Sequence, residues 1–477
     1  MQADFIFTHS VFFCFSEDIW YDEVFSAGMM RYSYKEIMEF TAKDVHPPLY
    51  YMMLHTVCSI VPGEVSLMAG ISVNLMFFLG STVVLYFLTD TVWRRKEIAV
   101  LAAFLYAVSF GGINTMIYTR MYMMVTFMAL LHSLVYMKYM EQDKISGKAY
   151  LFLMVTLIGG VLTQYYFLFI AFFFGVWYTV KFFVEKRYKV LFVYWGTFVT
   201  SALISLGIWP SMLTHLFGGG RGEEAADNLL SSEGYFESLK EMFRILNNDM
   251  FAKLLPVIIL GIVLLWIVGL KKGTPDKELY YKKMLPILFV CIGYFLLVTK
   301  VAPYQVDRYV MPIYPLVYMM VIGLTCMIAE KVLPKKLVLA LCVIGFGGLS
   351  LIHMIHSGIP YTYVKNQNNI ERWAVVNEYR DNYALYISDD KGAHYYDAVQ
   401  MLKEYQGFYY ACNLENVQQI ISDMEDVADK GLVVYVKNTR TREEAEDFVQ
   451  KVFPGQKLNQ DNLLDEDEKW SVYLINK

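Results

Sequence analysis

Hydrophobic residues in this chain are concentrated in runs of about twenty residues that contain hardly any charge. A helix of that length crosses a hydrocarbon core about 30 Å thick, so each run predicts a membrane span. The predicted spans cover residues 1–15, 66–89, 98–113, 119–140, 148–162, 163–182, 190–212, 252–270, 283–299, 310–329 and 337–356. The pattern therefore predicts a polytopic α-helical membrane protein with about 11 transmembrane helices.

One further apolar stretch, from Pro47 to Val61, does not fit this pattern. It is about fifteen residues long, opens with two prolines and stops at Pro62. That length suits an interfacial or re-entrant segment better than a span. The first run, 1–15, is also short of a full crossing, and it lacks the basic region and the small-residue cleavage site of a signal peptide.

Charge in the connecting segments predicts which ends of the spans face the cytoplasm. Lysine and arginine cluster in alternate connections, which the positive-inside rule places on the cytoplasmic side. These residues are Arg94, Arg95, Lys96, Lys138, Lys144, Lys148, Lys181, Lys186, Arg187, Lys189, Lys271, Lys272, Lys277, Lys282, Lys283, Lys331, Lys335 and Lys336. The connections that then face outward are 16–65, 113–120, 162–165, 213–251 and 300–309, and everything after residue 357 also faces outward.

The composition beyond residue 360 changes to that of a soluble domain. Four strand-like stretches, "YALYISDD", "GFYYACN", "GLVVYVKN" and "WSVYLINK", alternate with helical stretches near 393–405, 414–428 and 441–452. This alternation predicts a small α/β domain with a largely parallel sheet. No glycine-rich phosphate loop follows a strand, so we expect a docking or acceptor-recognition module. The predicted domains are a transmembrane domain over 1–356 and an extracytoplasmic α/β domain over 357–477.

Composition limits the other classes of protein. The chain is 56% hydrophobic and 18% charged, whereas soluble domains are about 45–50% apolar and about 25% charged. Its cysteines are scattered without metal-type spacing, so neither a disulfide framework nor a zinc site is predicted. The net charge is −5 and no basic patch resembles a nucleic-acid footprint, so we expect no nucleic-acid partner.

Acidic residues gather directly after the first apolar run. Glu17 and Asp18 are predicted to solvate a loop. Asp22 and Glu23 begin "YDEVFSAGMMRY", whose apolar positions indicate a helix lying along the membrane surface. A carboxylate beside aromatic rings at that surface loses some hydration, which raises its pKa towards the range useful for a base.

The segment "DVHPPLYY" follows about twenty residues later. Its two prolines disfavour a helical conformation in the residue before them, so His46 is predicted to be extended at the head of a helix. Asp44 lies just before that helix, where the positive end of the helix dipole stabilises a carboxylate. These observations leave a structural cap and a functional role equally open for both residues.

Four motifs, "YDEVFS", "DVHPPLYY", "YTRMYMM" at 118–124 and "DRYVMPIYP" at 307–315, resemble those of the protein O-mannosyltransferases and their bacterial relatives. These are the family 39-type glycosyltransferases of the GT-C fold, and the aminoarabinose transferase of lipid A belongs to the same clan. The resemblance covers residues 1–356 and keeps the family's order of motifs. It implies a GT-C fold and transfer of a sugar from a polyprenyl-phosphate donor to a glycan, lipid or protein acceptor at the outer face of the plasma membrane.

The resemblance also implies roles for the acidic motifs. Asp22 matches the first acid of the family's acidic pair, which acts on the acceptor hydroxyl as base or orienter, and Glu23 accompanies it as support. Asp44 matches the aspartate of the D-x-H-P-P motif, which is implicated in organising the acceptor and the active site. His46 occupies a position that varies among relatives, which leaves substrate binding, a metal role and a divalent cation open.

An inverting transfer from polyprenyl phosphate releases an anion, so cationic side chains are required at the outer face. Arg308 and Lys300 flank the start of a predicted span, and Arg120 lies at the outer end of another. The guanidinium fork of arginine is well matched to a phosphate. Arg308 could instead pair with Asp307 or extend to lipid headgroups, and Arg120 could pair with an acid of the first loop.

Three further polar or aromatic residues, Gln164, Tyr165 and Tyr309, lie at predicted outer helix ends. An interfacial tyrosine belt is the default explanation for tyrosines in such positions. Related enzymes, however, carry a polar–aromatic pair at the turn of Gln164 and Tyr165. We therefore take all three residues as candidate substrate contacts.

Two other classes of protein compete with a transferase. A transporter or lipid flippase usually carries ionisable residues near the bilayer midplane, whereas the acids and arginines here gather at one face. Packing explains His132, one of the few titratable groups inside a span. A non-catalytic envelope-assembly protein leaves the arrangement of Asp22, Asp44 and Arg308 unexplained, so the sequence favours a glycosyltransferase.

Overall fold

The computed structural model describes most of the chain. The described residues are Glu23, Ser26, Met29, Met30, 32–60, 67–218, 221–231, 234–269, 280–357, 370–387, Tyr405, 407–411, 431–437, 441–452, 454–466 and 470–475. Asp22, the predicted span 1–15 and, except for Tyr405, the predicted helices near 393–405 and 414–428 lie outside them. The chain divides into two compact units, a helical one between residues 26 and 357 and a smaller one between 370 and 475 that also includes Glu23.

The first unit is built from helices. They are α1 (Tyr34–Lys43), α2 (Leu49–Ile60), α3 (Leu67–Trp93), α4 (Lys96–Ala107), α5 (Phe110–Ile117), α6 (Tyr122–Val135), α7 (Gly147–Thr163), α8 (Phe167–Val184), α9 (Tyr188–Ile208), α10 (Met212–Phe217), α11 (Arg221–Leu230), α12 (Tyr235–Phe251), α13 (Leu255–Gly269), α14 (Leu285–Val301), α15 (Tyr314–Ala329), α16 (Lys335–Cys342) and α17 (Gly348–Ser357). Short π-helical turns extend α6, precede α14 and link α16 to α17.

The described residues contain seven helices long and apolar enough to cross a membrane. They are 70–93, 122–140, 167–184, 188–208, 282–301, 311–329 and 335–356. The pairs α4–α5 and α12–α13 pass the same test only as bent pairs, which brings the number to as many as nine, and α7 is apolar but shorter. Every predicted span from residue 66 onward thus coincides with a helix or a bent pair, and the chain is a polytopic α-helical membrane protein.

The apolar pattern did not predict the bends in these two pairs, which are 54° and 77°. Between α4 and α5, Ser109 Oγ accepts the N–H of Gly112 and so caps α5. A Cβ at Gly112 would lie 2.6 Å from the carbonyl oxygen of Tyr106, so the close turn requires glycine. Between α12 and α13, Ala252 and Lys253 have positive φ values of 48° and 69°. Left-handed residues of this kind end a helix.

Close approach and ion pairing hold the spans together. A Cβ at Gly323 of α15 would lie 2.0 Å from the ring of Trp93, the last residue of α3, so only glycine allows this contact. Arg95 donates to both carboxylate oxygens of Glu330, at 2.6 and 2.8 Å. Bidentate pairs are among the stronger hydrogen-bonded contacts in proteins. This one ties the start of α4 to the end of α15.

The first predicted outer loop contains two short helices. The α1 helix begins with a capping box between Ser33 and Glu36 and ends at Asp44. After the prolines Pro47 and Pro48, α2 is 12 residues long. Such a helix extends about 18 Å, which is short of a full crossing. The length agrees with the prediction that this stretch does not span the membrane.

The second unit contains a five-stranded sheet in the order β2-β1-β3-β5-β4. Its elements are α18 (Ile370–Glu378), β1 (Tyr383–Ile387), β2 (Gly407–Ala411), β3 (Leu432–Lys437), α19 (Arg442–Val452), β4 (Leu463–Glu466) and β5 (Trp470–Ile475). β1 is parallel to β2 and β3, whereas β5 is antiparallel to β3 and β4. The four predicted strands are present, whereas β4 was not predicted. Because β5 is antiparallel to both of its neighbours, the sheet is mixed and not largely parallel as expected. The connection from β4 to β5 is short, as antiparallel neighbours allow.

Candidate functional site

Asp44, His46 and Arg120 form one hydrogen-bonded group in the helical unit. His46 Nδ1 lies 2.6 Å from Asp44 Oδ2, and His46 Nε2 lies 3.3 Å from Arg120 Nη2. The other terminal nitrogen of Arg120 donates to Ser26 Oγ at 3.4 Å. Arg120 is only 3% exposed, so its charge lies inside the protein beside the first-loop segment. The structure thus brings three of the predicted site residues together.

The proton positions in this group follow from the donors and acceptors. A guanidinium has N–H donors and no acceptor, so His46 Nε2 accepts the bond from Arg120. The imidazole is then neutral, with its proton on Nδ1, and Nδ1–H donates to the Asp44 carboxylate. The carboxylate therefore sets both the tautomer and the orientation of the ring.

Asp44 keeps its charge in this environment. Burial raises its pKa, but the interactions with His46, together with the backbone N–H of Val45 and the charge of Arg120, hold the pKa below its usual value. Its side chain is 30% exposed. The carboxylate is therefore both ionised at neutral pH and open to solvent on one side.

Asn74 of α3 joins the two segments that carry this group. Its Oδ1 accepts from the Tyr50 hydroxyl at 3.0 Å, and its Nδ2 donates to the backbone carbonyl of Tyr118. Tyr50 lies in α2, just after the segment that contains His46. Tyr118 lies two residues before Arg120. Because Asn74 is fully buried, its single amide sets the spacing between the two segments.

The turn between α7 and α8 carries Gln164 and Tyr165. Gln164 Oε1 accepts the backbone N–H of Tyr166 at 2.6 Å, so this side chain stabilises the turn. The Tyr165 hydroxyl lies 2.9 Å from His215 Nδ1 and 3.0 Å from Trp209 Nε1. Burial raises the pKa of Tyr165 to about 12, so the phenol keeps its proton. Both predicted substrate contacts are thus engaged with other parts of the protein.

Arg308 lies against two tyrosine rings. Its Cζ is 5.3 Å from the ring centroid of Tyr304 and 5.7 Å from that of Tyr309, within the range of cation–π contacts. Its Nη2 also donates to the Tyr304 hydroxyl at 2.6 Å. Tyr309 in turn packs against the ring of Tyr166 at 5.0 Å. We refer to Tyr304 and Tyr309 as the tyrosine platform of Arg308.

Asp307, the residue before Arg308, interacts with a second carboxylate, that of Asp249. Asp307 accepts the backbone N–H of Arg308 at 2.8 Å and the amide of Asn114 at 3.0 Å. The charge of Asp307 acts on Asp249, which accepts the Tyr314 hydroxyl at 2.6 Å. Burial raises the pKa of Asp307. Neighbouring carboxylates repel one another, which favours the state in which one carries a proton.

Lys300 lies at one end of an apolar groove between α8 and α14. The groove has a volume of about 710 Å³ and is lined by side chains such as Phe173 and Ile292. Lys300 Nζ lies 5.1 Å from the ring centroid of Tyr235, which also lines the groove. The rest of the lining is almost entirely apolar. The groove therefore offers a lipid-like surface with a cation at one end.

A second groove of about 510 Å³ continues the first along the same two helices. Trp177 and Phe289 line both grooves. The far end of the second groove reaches Lys181 and Glu141, which form an ion pair. Together the two grooves follow α8 over most of its length.

The candidates predicted from sequence fall into four places in the helical unit: Asp44, His46 and Arg120 in one group, Gln164 and Tyr165 in the turn before α8, Arg308 and Tyr309 on the tyrosine platform, and Lys300 at the groove. Glu23 is fully buried and belongs to the second unit, and Asp22 lies outside the described residues. Over the described ranges, no three His, Cys, Asp or Glu side chains are grouped to hold a metal ion.

Sequence reasoning missed several residues that connect these groups. They are Ser26, Asn74, Asn114, His215, Trp209 and Asp249. Asn74 and Asn114 are isolated amides within apolar runs, and a polar residue within a span is a signal that could have found them. No local pattern marks His215 or Trp209, because their importance comes from the residues that they contact.

No protein-family model matches the chain, and no curated protein matches its sequence. Among solved structures, the chain is similar to ArnT from Cupriavidus metallidurans bound to undecaprenyl phosphate, with a TM-score of 0.54 and 9% identity over 90% of this chain and 87% of that chain. The apo state of that ArnT gives a TM-score of 0.54 at 10% identity over the same shares of the two chains. The oligosaccharyltransferase of Archaeoglobus fulgidus, tethered with an acceptor peptide, gives a TM-score of 0.45 at 12% identity and covers 86% of this chain and 62% of that chain.

Both of these proteins are GT-C fold glycosyltransferases. The likeness to ArnT extends over most of both chains and confirms the GT-C fold expected from the four sequence motifs. At 9% identity the likeness concerns the fold alone. The roles of individual residues therefore have to be argued from the side chains of this protein.

Proposed function

We propose that this protein is an inverting glycosyltransferase that moves a sugar from a polyprenyl-phosphate donor to an acceptor at the outer face of the plasma membrane. The observation that carries the proposal is the group of Asp44, His46 and Arg120, in which the imidazole of His46 links a solvent-accessible carboxylate to a buried cation. A transferase needs both charges in a defined geometry. The GT-C fold supports the same reaction class.

The proposed reaction requires a base and a good leaving group. The acceptor hydroxyl transfers its proton to a carboxylate as its oxygen bonds to the anomeric carbon, while the bond from that carbon to the phosphate oxygen breaks. We assign the base to Asp22, supported by Glu23, on the strength of the acidic motif in the sequence. Asp44 then organises the site by orienting His46.

The leaving phosphate carries negative charge, which the site has to stabilise. Arg308 is the first candidate because its tyrosine platform orients the guanidinium, and a guanidinium fork matches phosphate geometry. Lys300 is a second candidate because it lies beside a groove that suits a lipid chain. Arg120 contributes positive charge from within the protein, next to Asp44.

The apolar lining of the grooves favours binding of a lipid-linked donor over transport of a lipid across the membrane. A flippase has to carry a polar headgroup past the bilayer centre, which calls for polar groups along the path. The shared lining of the two grooves consists of Trp177 and Phe289, which are apolar. This surface is compatible with the chain of a polyprenyl lipid and unsuited to its headgroup.

The acceptor is a cell-envelope glycan, a lipid or a protein, and the second unit is our candidate for its recognition. This placement requires the C-terminal unit to lie outside the cytoplasm, as the charge of the connections predicts. Membrane lipids are the remaining expected partners. A divalent cation is not required by the proposed roles.

Transfer by the purified protein in lipid nanodiscs tests the proposal. Polyprenyl-phosphate sugars are supplied with a panel of glycan, lipid and peptide acceptors, and wild type is compared with Asp22→Asn and Arg308→Ala. We expect Asp22→Asn to lower kcat by about 10²-fold or more and Arg308→Ala to lower kcat/KM for the donor. Arg244→Ala is the matched control, because Arg244 pairs with Glu241 on the exposed face of α12. Full activity in Asp22→Asn would contradict the assigned base, and a wild type that transfers no sugar would contradict the function.

A further inference from the structure

A directional chain of hydrogen bonds runs from Trp209 to the end of α1. Trp209 Nε1 lies 3.0 Å from the Tyr165 hydroxyl, that hydroxyl lies 2.9 Å from His215 Nδ1, and His215 Nε2 lies 3.1 Å from the carbonyl oxygen of Ala42. A carbonyl oxygen only accepts, so His215 carries its proton on Nε2. Nδ1 then accepts from the Tyr165 O–H, and the Tyr165 oxygen accepts the indole N–H. Each donor in the chain has one acceptor.

This chain of hydrogen bonds ends at the C-terminus of α1, where backbone carbonyls need hydrogen-bond donors. The last four carbonyls of a helix have no partner within the helix. In α1, the carbonyls of Phe40 and Thr41 accept the N–H of Asp44, both at 3.2 Å. The next carbonyl, that of Ala42, accepts from His215. His215, which is distant in sequence, therefore caps the turn from which the Asp44 side chain projects.

The same turn before α8 also contacts the donor side of the proposed site. Tyr165 belongs to the chain of hydrogen bonds that reaches Ala42. Its neighbour Tyr166 packs against Tyr309 of the tyrosine platform. The N–H of Tyr166 is held by the side chain of Gln164. A displacement of this turn therefore moves the support of both groups together.

We propose that His215 is a positioning residue for Asp44, and that with Tyr165 it sets the distance between the Asp44 group and the tyrosine platform of Arg308. His215 contacts neither of these groups directly in the chain of bonds described above. It acts by fixing the Ala42 carbonyl, and thereby the turn that ends at Asp44. The significance for catalysis rests on the proposed function, whereas the fixing of the turn does not.

The hydrogen bonds explain why a histidine serves here. The position needs one donor for a carbonyl and one acceptor for a phenol at opposite ends of a short, flat side chain. A neutral imidazole provides both. Glutamine also provides a donor and an acceptor, whereas alanine provides neither. His215→Gln is therefore a conservative variant that separates hydrogen bonding from the ring itself.

Hydrogen exchange of the Asp44 amide tests the positioning without any assay of transfer. The wild type is compared with His215→Ala, His215→Gln and Tyr165→Phe, and His356→Ala on the exposed face of α17 is the matched control. We expect at least tenfold faster exchange of this amide in His215→Ala, a smaller increase in Tyr165→Phe, and rates close to wild type in His215→Gln and His356→Ala. Exchange in the spans is expected to stay unchanged.

Steady-state kinetics supply the second readout. Because a displacement of about 1 Å can lower a rate about 10²-fold, we expect His215→Ala to lower kcat by about tenfold to 10²-fold with an unchanged donor KM. His215→Gln is expected to recover most of kcat. A raised donor KM with normal kcat would instead assign the residue to substrate binding and overturn the proposal.

The exchange results separate the remaining outcomes. Unchanged exchange of the Asp44 amide in His215→Ala would overturn the positioning role, because the variant would then have no effect on this turn. Faster exchange throughout the helical unit would overturn it too, because the variant would then destabilise the protein in general. If His215→Ala does not fold, Tyr165→Phe gives the same test with the ring retained. The expected exchange pattern in a wild type that transfers no sugar would support the positioning and contradict only the proposed function.

Discussion

The imidazole of His46 lies between a carboxylate and a guanidinium, with Nδ1 2.6 Å from Asp44 and Nε2 3.3 Å from Arg120. Because arginine can only donate, the ring is neutral while Asp44 is charged. His46 thus acts as a rigid spacer of fixed tautomer between the two charges.

Replacing Asp44 by asparagine removes an acceptor that the site uses. The carboxylate accepts from both His46 Nδ1 and the backbone N–H of Val45, whereas an amide has one acceptor oxygen. We expect Asp44→Asn to lower kcat by at least about tenfold, because the ring of His46 is no longer fixed. Asp143→Asn, at an exposed position, should behave as wild type in the same transfer assay. An unaltered kcat in Asp44→Asn would exclude the organising role.

Removing the Tyr304 hydroxyl tests the tyrosine platform. Tyr304→Phe keeps the aromatic ring under Arg308 and removes only the acceptor of its Nη2. We expect a donor KM several-fold above that of wild type with little change in kcat, because the guanidinium is less firmly oriented for phosphate. Tyr188→Phe is the control, since Tyr188 is exposed at the start of α9. Equal donor KM values in both variants would argue against Arg308 as a phosphate ligand.

Filling the groove tests whether it holds the donor's lipid chain. Ile292 lines the groove and is 58% exposed, so Ile292→Trp should fold and narrow it. We expect a higher KM for a long-chain polyprenyl donor and an unchanged KM for a donor with a chain of about two isoprene units, which does not reach this point. Leu203→Trp, on the exposed surface of α9, adds the same bulk elsewhere. A KM that rises equally for both chain lengths would show that the groove does not hold the chain.

Asp307 and Asp249 make stability depend on pH. Since burial raises the pKa of Asp307 above its ordinary 3.8, the folded protein binds this proton more tightly than the unfolded chain. The contribution is therefore most favourable below the ordinary pKa and is lost as the pH rises through the raised value. We expect Asp249→Asn, which keeps an acceptor for Tyr314, to weaken this loss.

Thermal unfolding in detergent between about pH 4 and pH 8 measures this effect. The Tm of wild type should fall more steeply with rising pH than that of Asp249→Asn, and the two proteins should differ most at the upper end. Asp143→Asn, which changes an exposed carboxylate, should follow wild type. Parallel curves for wild type and Asp249→Asn would show that the two carboxylates are not coupled.

Much of the fold could be predicted from composition along the chain. Each apolar run from residue 66 onward is a helix or a bent pair, because backbone groups in a hydrocarbon layer must bond within their own segment. Pro47 and Pro48 also correctly predicted where the short helix α2 begins. The bends at Ser109 and at Ala252 could not be predicted, because hydropathy averages over a window and does not register a single cap or a left-handed residue.

The sequence by itself determined the helical membrane architecture and drew attention to Asp44, His46, Arg120 and Arg308, because spans and short motifs are local properties of the chain. Only the tertiary structure decided the partners of these residues. It placed His215 against the Ala42 carbonyl at the Asp44 turn, joined the segments of His46 and Arg120 through Asn74, and set Arg308 on tyrosine rings. Such contacts join residues far apart in sequence, so they depend on how the helices pack and leave no local pattern.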